Sequence, residues 1–496
     1  MSVPYFYAKI NAGSIRIEGQ IESFLGHEIS RNGNVLPDGV FAKWSWDGKT
    51  LMVENDRYGF YPLYYYCSGK EICVSSSIDQ ILNKVGNIGL DYVALSVFLR
   101  LGFFIGEETP FQSIRALPPQ AHFEWCGGQL SVNGNYIFGK KSAALSKARA
   151  MDQFQELFEQ SIKRRLPKGE NFVMPLSGGR DSRHILFELM RLGCVPESCV
   201  SFRNLPPISD EDVKIAKLIS EKLNIKHYLV EQTSTYSDMF MRNMPITNYC
   251  SDEHFQMLEM ADYLRGKTQI IYDGIGGDVL SAGLFLNEQR LQQYRSGQYE
   301  QLSADLLGRE ILNLRLNKEF YKKVSVDIAT VHLVEELKKY KDEPNPVGSF
   351  YFWNRTRREV ALAPYRIFGN IATVYSPYLD HEVYDFLSTL DASLLLDHTF
   401  HTETIERAYP QYASIPFEDK NVSGGDPSHV RKRLVRDCLV YAIKNITSFV
   451  KLMRVGYVIP RLLYSIVTGV SWWICPSILY LIKLNEFCGQ KFNDGK

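Results

Sequence analysis

The sequence has little of what would assign it to a specialised class. Its 496 residues carry 56 Lys and Arg against 56 Asp and Glu. No surplus charge is left to draw the chain to nucleic acid or to an acidic partner. The nine cysteines are scattered, with no C-x-x-C pair and no regular spacing. That argues against a disulfide framework and for a reducing, cytoplasmic setting. The start, Met1 to Tyr7, lacks a basic stretch followed by an apolar one, so no signal peptide is expected. Ten histidines are dispersed. His398 and His401 share a helical spacing, but no third ligand lies nearby, and they read as structural. The length exceeds one compact core and predicts two or three domains.

Patterning divides the chain. Residues 1 to about 140 read as mostly strands, with hairpins at Asp47-Gly48-Lys49 and Ser68-Gly69 and one helix near Asp91 to Arg100. Residues 142–149, small and charged, read as a linker. Beyond them strands alternate with helices: Cys199 to Phe202, a helix introduced by the capping-box signature Ser209-Asp210-Glu211-Asp212, Tyr228 to Glu231, and a helix over Asp252 to Arg265. This alternation predicts a doubly wound parallel sheet, whose ligands bind at the carboxyl ends of the strands.

The chemistry is concentrated at two strand exits. Phe172 to Leu176 reads as a buried strand, and Ile185, Leu186, Leu189 and Met190 recur at helical spacing. Between them lies Ser177-Gly178-Gly179-Arg180-Asp181-Ser182. Backbone N–H groups at such a turn, with the positive end of a helix dipole, hold an anion without side-chain charge. Asp181 adds a carboxylate suited to a divalent metal bridging to phosphate. No Gly-Lys-Ser/Thr follows, so this is not a Walker loop. The strand Gln269 to Tyr272 runs into Asp273-Gly274-Ile275-Gly276-Gly277-Asp278, where Asp278 offers a second Mg²⁺ ligand opposite Asp181.

With both loops in place, the chain resembles the asparagine synthetase family of ATP-dependent amide-forming ligases, which includes β-lactam synthetases and lasso-peptide cyclases. Ser-Gly-Gly-Arg-Asp-Ser stands where that family has its pyrophosphate loop. Gly274 to Asp278 is similar to its Gly-Glu-Gly-x-Asp loop, Ser376 to His381 to its Pro-Phe-Leu-Asp-His marker, and Phe417 to Lys420 to the stretch carrying its catalytic lysine. Asp38 to Ala42, Asp56 to Gly59 and Pro62 to Tyr65 resemble phrases of its N-terminal-nucleophile glutaminase domain. The resemblance implies an α/β chain of three parts: a degenerate glutaminase-like α+β domain (1–145), a PP-loop ATP-pyrophosphatase domain (150–435) and a hydrophobic helical tail (436–496). It implies ATP and Mg²⁺, with Leu176, Ser177, Gly178, Gly179, Asp181, Ser182, Gly274 and Gly276 binding nucleotide, Asp181 and Asp278 holding metal, and Lys420 catalytic. A carboxylate would be adenylated, with loss of pyrophosphate, and coupled to ammonia or an amine.

Two departures bear on the second step. Family glutaminases begin Met-Cys-Gly-Ile, whereas position 2 here is Ser2. The Arg-Leu-x-Ile-x-Asp and Asn-Gly-Glu phrases of the glutamine pocket are also missing, so glutamine hydrolysis is not expected. Ile275 stands where the family has a glutamate, and an isoleucine cannot move a proton. The partners expected are a small-molecule or peptide carboxylate and an amine, with no nucleic acid. Peptide cyclisation and sugar-acid amidation remain alternatives, as does a nucleotide-binding pseudoenzyme. Leu462 to Ile482 is an uncharged run long enough to span a bilayer, though Pro476 and four Ser or Thr dilute it. It reads either as helices packed on the protein or a partner, or as a membrane contact.

Overall fold

The computed structural model describes residues 3–11, 13–30, 36–86, 88–140, 145–205, 209–419, 422 and 424–493, the last four by backbone only. The N-terminal part is a sandwich of two antiparallel sheets. Its strands are β1 (Tyr5–Asn11), β2 (Ser14–Gly19), β3 (Glu22–Ile29), β4 (Asp38–Trp46), β5 (Thr50–Asn55), β6 (Tyr64–Cys67), β7 (Glu71–Ser75), β8 (Ile114–Ala116), β9 (His122–Cys126) and β10 (Gln129–Asn133). One sheet runs β2-β1-β7-β6-β8 and the other β10-β9-β5-β4-β3. Strand alternation sorts the side chains. Phe6 and Ala8 face the sandwich core with Trp44, Val53 and Trp125. Tyr7, between them, faces a second core with Ile81, Leu95 and Phe98 from the helices Ile78–Val85 and Tyr92–Leu101.

The second part begins with the helix Lys147–Arg164, capped by Ser146, so the last residues of the expected linker are helical. A parallel sheet follows, built from β11 (Phe172–Pro175), β12 (Ser198–Arg203), β13 (His227–Glu231), β14 (Ile270–Tyr272) and β15 (Thr373–Tyr375) in the order β13-β12-β11-β14-β15. Strand order reverses between β11 and β14, so the two glycine loops leave adjacent strands at the topological switch point. Two expectations shift in detail. The helix after Ser209 starts at Glu211, whose N–H donates to Ser209 Oγ at 3.3 Å while the N-cap residue Asp210 makes no capping bond, and the helix expected from Asp252 begins only at Met257.

The apolar run 462–482 is not one helix. The helix Val455–Thr468 ends at Gly469, whose φ of 71° stops it, and another begins at Cys475. Ile478 to Ile482 are at most 2% exposed, buried in the second core, where Tyr480 packs on Phe98. Among the described residues no helix is long and apolar enough to cross a membrane.

The sandwich and the parallel sheet are joined by a buried ion network. Arg165, 2% exposed, donates to Asp38 Oδ2 at 2.7 Å and to Asp380 Oδ2 at 2.8 Å. Arg164 donates to both Asp380 oxygens at 2.7 and 2.8 Å. Burial opposes ionisation of Asp380, but Arg165 and Arg164 outweigh it and hold its carboxyl well below the usual range. Burial instead pushes Asp38 up to about 6, against the pull of Arg165. Nearby, Arg57 clamps Asp385 at 2.6 and 3.1 Å.

Removing the central cation leaves two buried carboxylates facing each other. Arg165→Met should therefore cost about 3–5 kcal/mol in urea denaturation. Asp380 has a lowered folded pKa, so its contribution is complete above the unfolded value near 3.9 and is lost as pH falls through the folded one. The stability gap between wild type and Asp380→Asn should thus close as pH falls below about 4.

Candidate active site

β11 gives way to Leu176, which is 3% exposed and is held in the sheet by its N–H donating to Val200 O at 2.9 Å. The loop then closes on itself. Ser177 N–H donates to Ser182 Oγ at 3.1 Å, the two hydroxyls lie 2.9 Å apart, and Gly179 N–H reaches Ser177 Oγ at 3.3 Å. Gly178 N–H donates to Asp212 Oδ1 at 2.7 Å. A Cβ on Gly178 would lie 3.1 Å from Ile215 and 3.2 Å from the Asp212 backbone, so glycine lets this helix approach. Asp212 belonged to the expected capping box; its carboxylate braces the first loop instead. The helix Asp181–Arg191 starts with no side-chain cap from Arg180, and a helix start of this kind favours an anion.

The second loop packs directly on Asp181. A Cβ on Gly274 would lie 2.5 Å from Asp181 Cβ, and one on Gly277 2.5 Å from Asp181 Oδ1. Gly276 turns at φ 88° and starts the short helix Gly277–Ser281. Asp278, next in sequence, accepts from Val279 N–H at 2.7 Å. Asp181 is thus pressed against the residue that precedes Asp278. Burial raises the Tyr378 hydroxyl well above its ordinary value, and the charges of both Asp181 and Asp278 raise it further. These carboxylates are the hard oxygen donors Mg²⁺ takes, and the uncapped helix start and glycine turns suit a polyphosphate, so the residues present fit both groups. Ile275, 5% exposed, belongs to the main apolar core.

Behind Asp181 lies a buried polar pair. His184 Nδ1 and His401 Nε2 are 3.1 Å apart, and His401 Nδ1 lies 3.0 Å from Ser281 Oγ and 3.4 Å from Asp181 Oδ1. Burial pushes His401 down to about 3 and His184 well below its ordinary value, so both are neutral at pH 7. His401, read from the sequence as structural for want of a third ligand, is buried and lies against Asp181.

Lys420 lies outside the described residues. The stretch leading to it docks on the first loop: Glu418 N–H donates to Gly178 O at 3.2 Å. Arg183, in the first turn of the helix Asp181–Arg191, is 1% exposed. It donates to Gly178 O at 3.2 Å, Ile415 O at 3.0 Å and Pro416 O at 2.6 Å, and stacks 3.9 Å over Phe417.

Sequence reasoning missed one titratable cluster. Phe352–Val360 is wound as a π-helix, a form common at functional sites, and carries Arg355 and Glu359. Glu359, 1% exposed, accepts from Ser251 Oγ at 2.6 Å and lies 3.6 Å from His254 Nε2. Burial lowers His254, but Glu359 and Glu253 prevail and raise it above its ordinary value. Arg355 binds Glu253 at 2.6 Å and lies close enough to Asp278 to feel its charge, which sets this cluster beside the second loop. Glu253, His254 and Glu359 could jointly reach a cation, but Arg355 already neutralises Glu253. His254 sits at φ 58° in a turn, where helical periodicity gives no signal.

Because Gly277 touches Asp181, Gly277→Ala should displace that carboxylate and cost about 1–3 kcal/mol in urea denaturation. Gly456→Ala, in the first turn of the helix Val455–Thr468 with nothing within 4 Å, is the control for adding a Cβ where no neighbour is displaced.

Comparison with known proteins bears on both halves of the chain. The glutamine amidotransferase domain family matches residues 32–137, and the asparagine synthase family matches residues 153–362. No curated protein matches the chain. The second match contains both glycine loops, Asp181, Asp278, His254 and Glu359; the first contains Asp38 and the strands β4 to β10. The chain belongs to the asparagine synthetase family, joining a glutamine amidotransferase-type domain to an ATP-dependent, amide-forming carbon–nitrogen ligase domain.

Proposed function

We propose that this ligase adenylates a carboxylate, releasing pyrophosphate, and couples the acyl group to ammonia or an amine without hydrolysing glutamine. The observation that carries the reading is the packing of Asp181 on Gly274 and Gly277, which brings both acidic residues to the switch point of the sheet. A carboxylate oxygen attacks the α-phosphorus and pyrophosphate leaves. The amine nitrogen then attacks the acyl carbon, AMP leaves, and the amine sheds a proton. The first step asks for positioning and charge neutralisation. Ser177, Gly178, Gly179 and Ser182 cradle the pyrophosphate, with Leu176, Gly274 and Gly276 shaping the walls. Asp181 and Asp278 would hold Mg²⁺, which neutralises phosphate charge when bound. The family resemblance assigns Lys420 to the charge that develops in both steps.

The second step needs a group for the amine proton, and Ile275 cannot supply it. His254, oriented by Glu359, is assigned that role; the charges around it are Glu253, Glu359, Arg355, Asp252 and Asp273. Ser2 lies outside the described residues, and the missing pocket phrases support free ammonia or a substrate amine as the nitrogen source.

Exchange of labelled pyrophosphate into ATP, dependent on a carboxylate, tests the first step across aspartate, uronic acids and a peptide carboxylate. Asp181→Asn, Asp278→Asn and Lys420→Ala should each lower exchange about 10²-fold or more. No exchange with any carboxylate would leave a nucleotide-binding protein only. Amide should form with ammonium or an amine; product formed equally from glutamine would overturn the nitrogen assignment.

His254→Ala should keep exchange and lower amide formation about 10²–10⁴-fold. In the wild type, amide formation should rise with pH through a pKa above about 6.5, as His254 loses its proton. Glu359→Gln should move that inflection down, because the anion that raises it is gone. An unshifted inflection would remove His254 from the step.

A further inference from the structure

The face of the C-terminal helices that points away from the protein is built unlike the rest of the surface. Among the described residues, 22 large apolar side chains are exposed, and ten of them fall between Val440 and Trp473. They follow helical spacing. Arg433, Arg436, Val440, Ile443 and Lys444 form one exposed stripe along the helix Ser428–Lys444. Leu463, Tyr464 and Val467 form another along Val455–Thr468, continued by Val470, and the two helices pack side by side. Exposure reaches 72% at Val467 and 62% at Tyr464. These side chains gain nothing from the fold, since the opposite faces supply Leu434, Cys438, Val458 and Leu462 to the second core.

Charge is skewed over the same segment. Residues 428–461 hold eight Lys or Arg and a single acidic residue, Asp437, in a chain whose total charge balances. Arg433, Arg436, Lys444, Lys451 and Arg454 are exposed beside the apolar stripes. Trp473, at the end of the face, is 41% exposed and stacked under Arg315 at 4.3 Å. Exposed apolar area of this extent on a soluble fold marks an interaction surface. Interleaved with cations and carrying Tyr and Trp, it matches the chemistry of helices that lie in the plane of an anionic bilayer. A spanning mode is not available: the run 462–482 breaks at Gly469, and its second half is buried.

We propose that the outward face of residues 433–473 binds an anionic lipid surface, with the helices parallel to the membrane and the ligase domain held above it. The apolar stripes enter the headgroup boundary while the Lys and Arg side chains pair with lipid phosphates. This inference stands on the surface alone and does not depend on the substrate of the ligase.

The test is sedimentation of the full chain with vesicles of phosphatidylcholine alone and of phosphatidylcholine mixed with phosphatidylglycerol. Partition should be about tenfold or more higher on the anionic vesicles and should fall in about 0.5 M salt. The pair Leu463→Glu and Val467→Glu should reduce it about tenfold or more, with an unchanged melting temperature. Lys444→Glu with Lys451→Glu removes cations without touching the apolar stripes and should do the same. Equal weak partition onto both vesicle types would overturn the proposal. So would sedimentation velocity showing a wild-type dimer that Leu463→Glu with Val467→Glu converts to a monomer, since the face would then be covered by a second copy.

Discussion

Arg165 is the point on which the rest of the structure turns. It ends the helix that opens the ligase domain, reaches Asp38 at the start of β4 and Asp380 beyond β15, and its carbonyl accepts the Tyr272 hydroxyl from β14. A buried guanidinium needs these carboxylates in place, and Asp38 in turn relies on it, while Asp380 shares Arg164 as a second cation. Any arrangement of the two sheets that separated them would strand a charge. The network therefore sets their relative position more sharply than apolar packing, which accepts many geometries.

The active site inherits its geometry from that network. Tyr378 lies two residues before Asp380, and its hydroxyl reaches the Asp181 carbonyl and both buried histidines. Asp380 also caps the helix His381–Leu387. The phrases around Asp38, Asp56 and Asp380 that mark the family are thus structural here. Asp56, fully buried, accepts the N–H groups of Tyr58, Phe60 and Tyr61 and shapes the turn that carries Arg57 to Asp385. Through Asp38 and Arg57 the N-terminal sandwich is tied to the ligase domain.

What could be read in advance was local. The two glycine loops, the hairpins and the alternation of strand and helix depend on neighbours a few residues apart, and they recur in the structure with shifted boundaries, as at the helix that begins only at Met257. Asp212 shows the limit: its spacing from Ser209 fitted a cap, yet Gly178 N–H is the partner its carboxylate meets. Arg183 shows it again, since a helix-start arginine looks exposed until the 415–417 stretch folds over it. The His254–Glu359 pair had no signal, because one member sits in a turn and the other on a distant π-helix.

The sequence by itself determined that two glycine turns leave two strands, each with a carboxylate, because backbone permissiveness and period are written in adjacent residues. It also determined that Ile275 carries no proton and that the tail is apolar and basic. Only the tertiary structure decided that the two turns touch, through glycines with no Cβ to hold them apart. It decided too that an apolar run of bilayer length is split, half of it filling a core and the segment beside it facing outward. Contacts between residues far apart in the chain are chosen by shape and by the cost of burying charge, and neither is visible along one dimension.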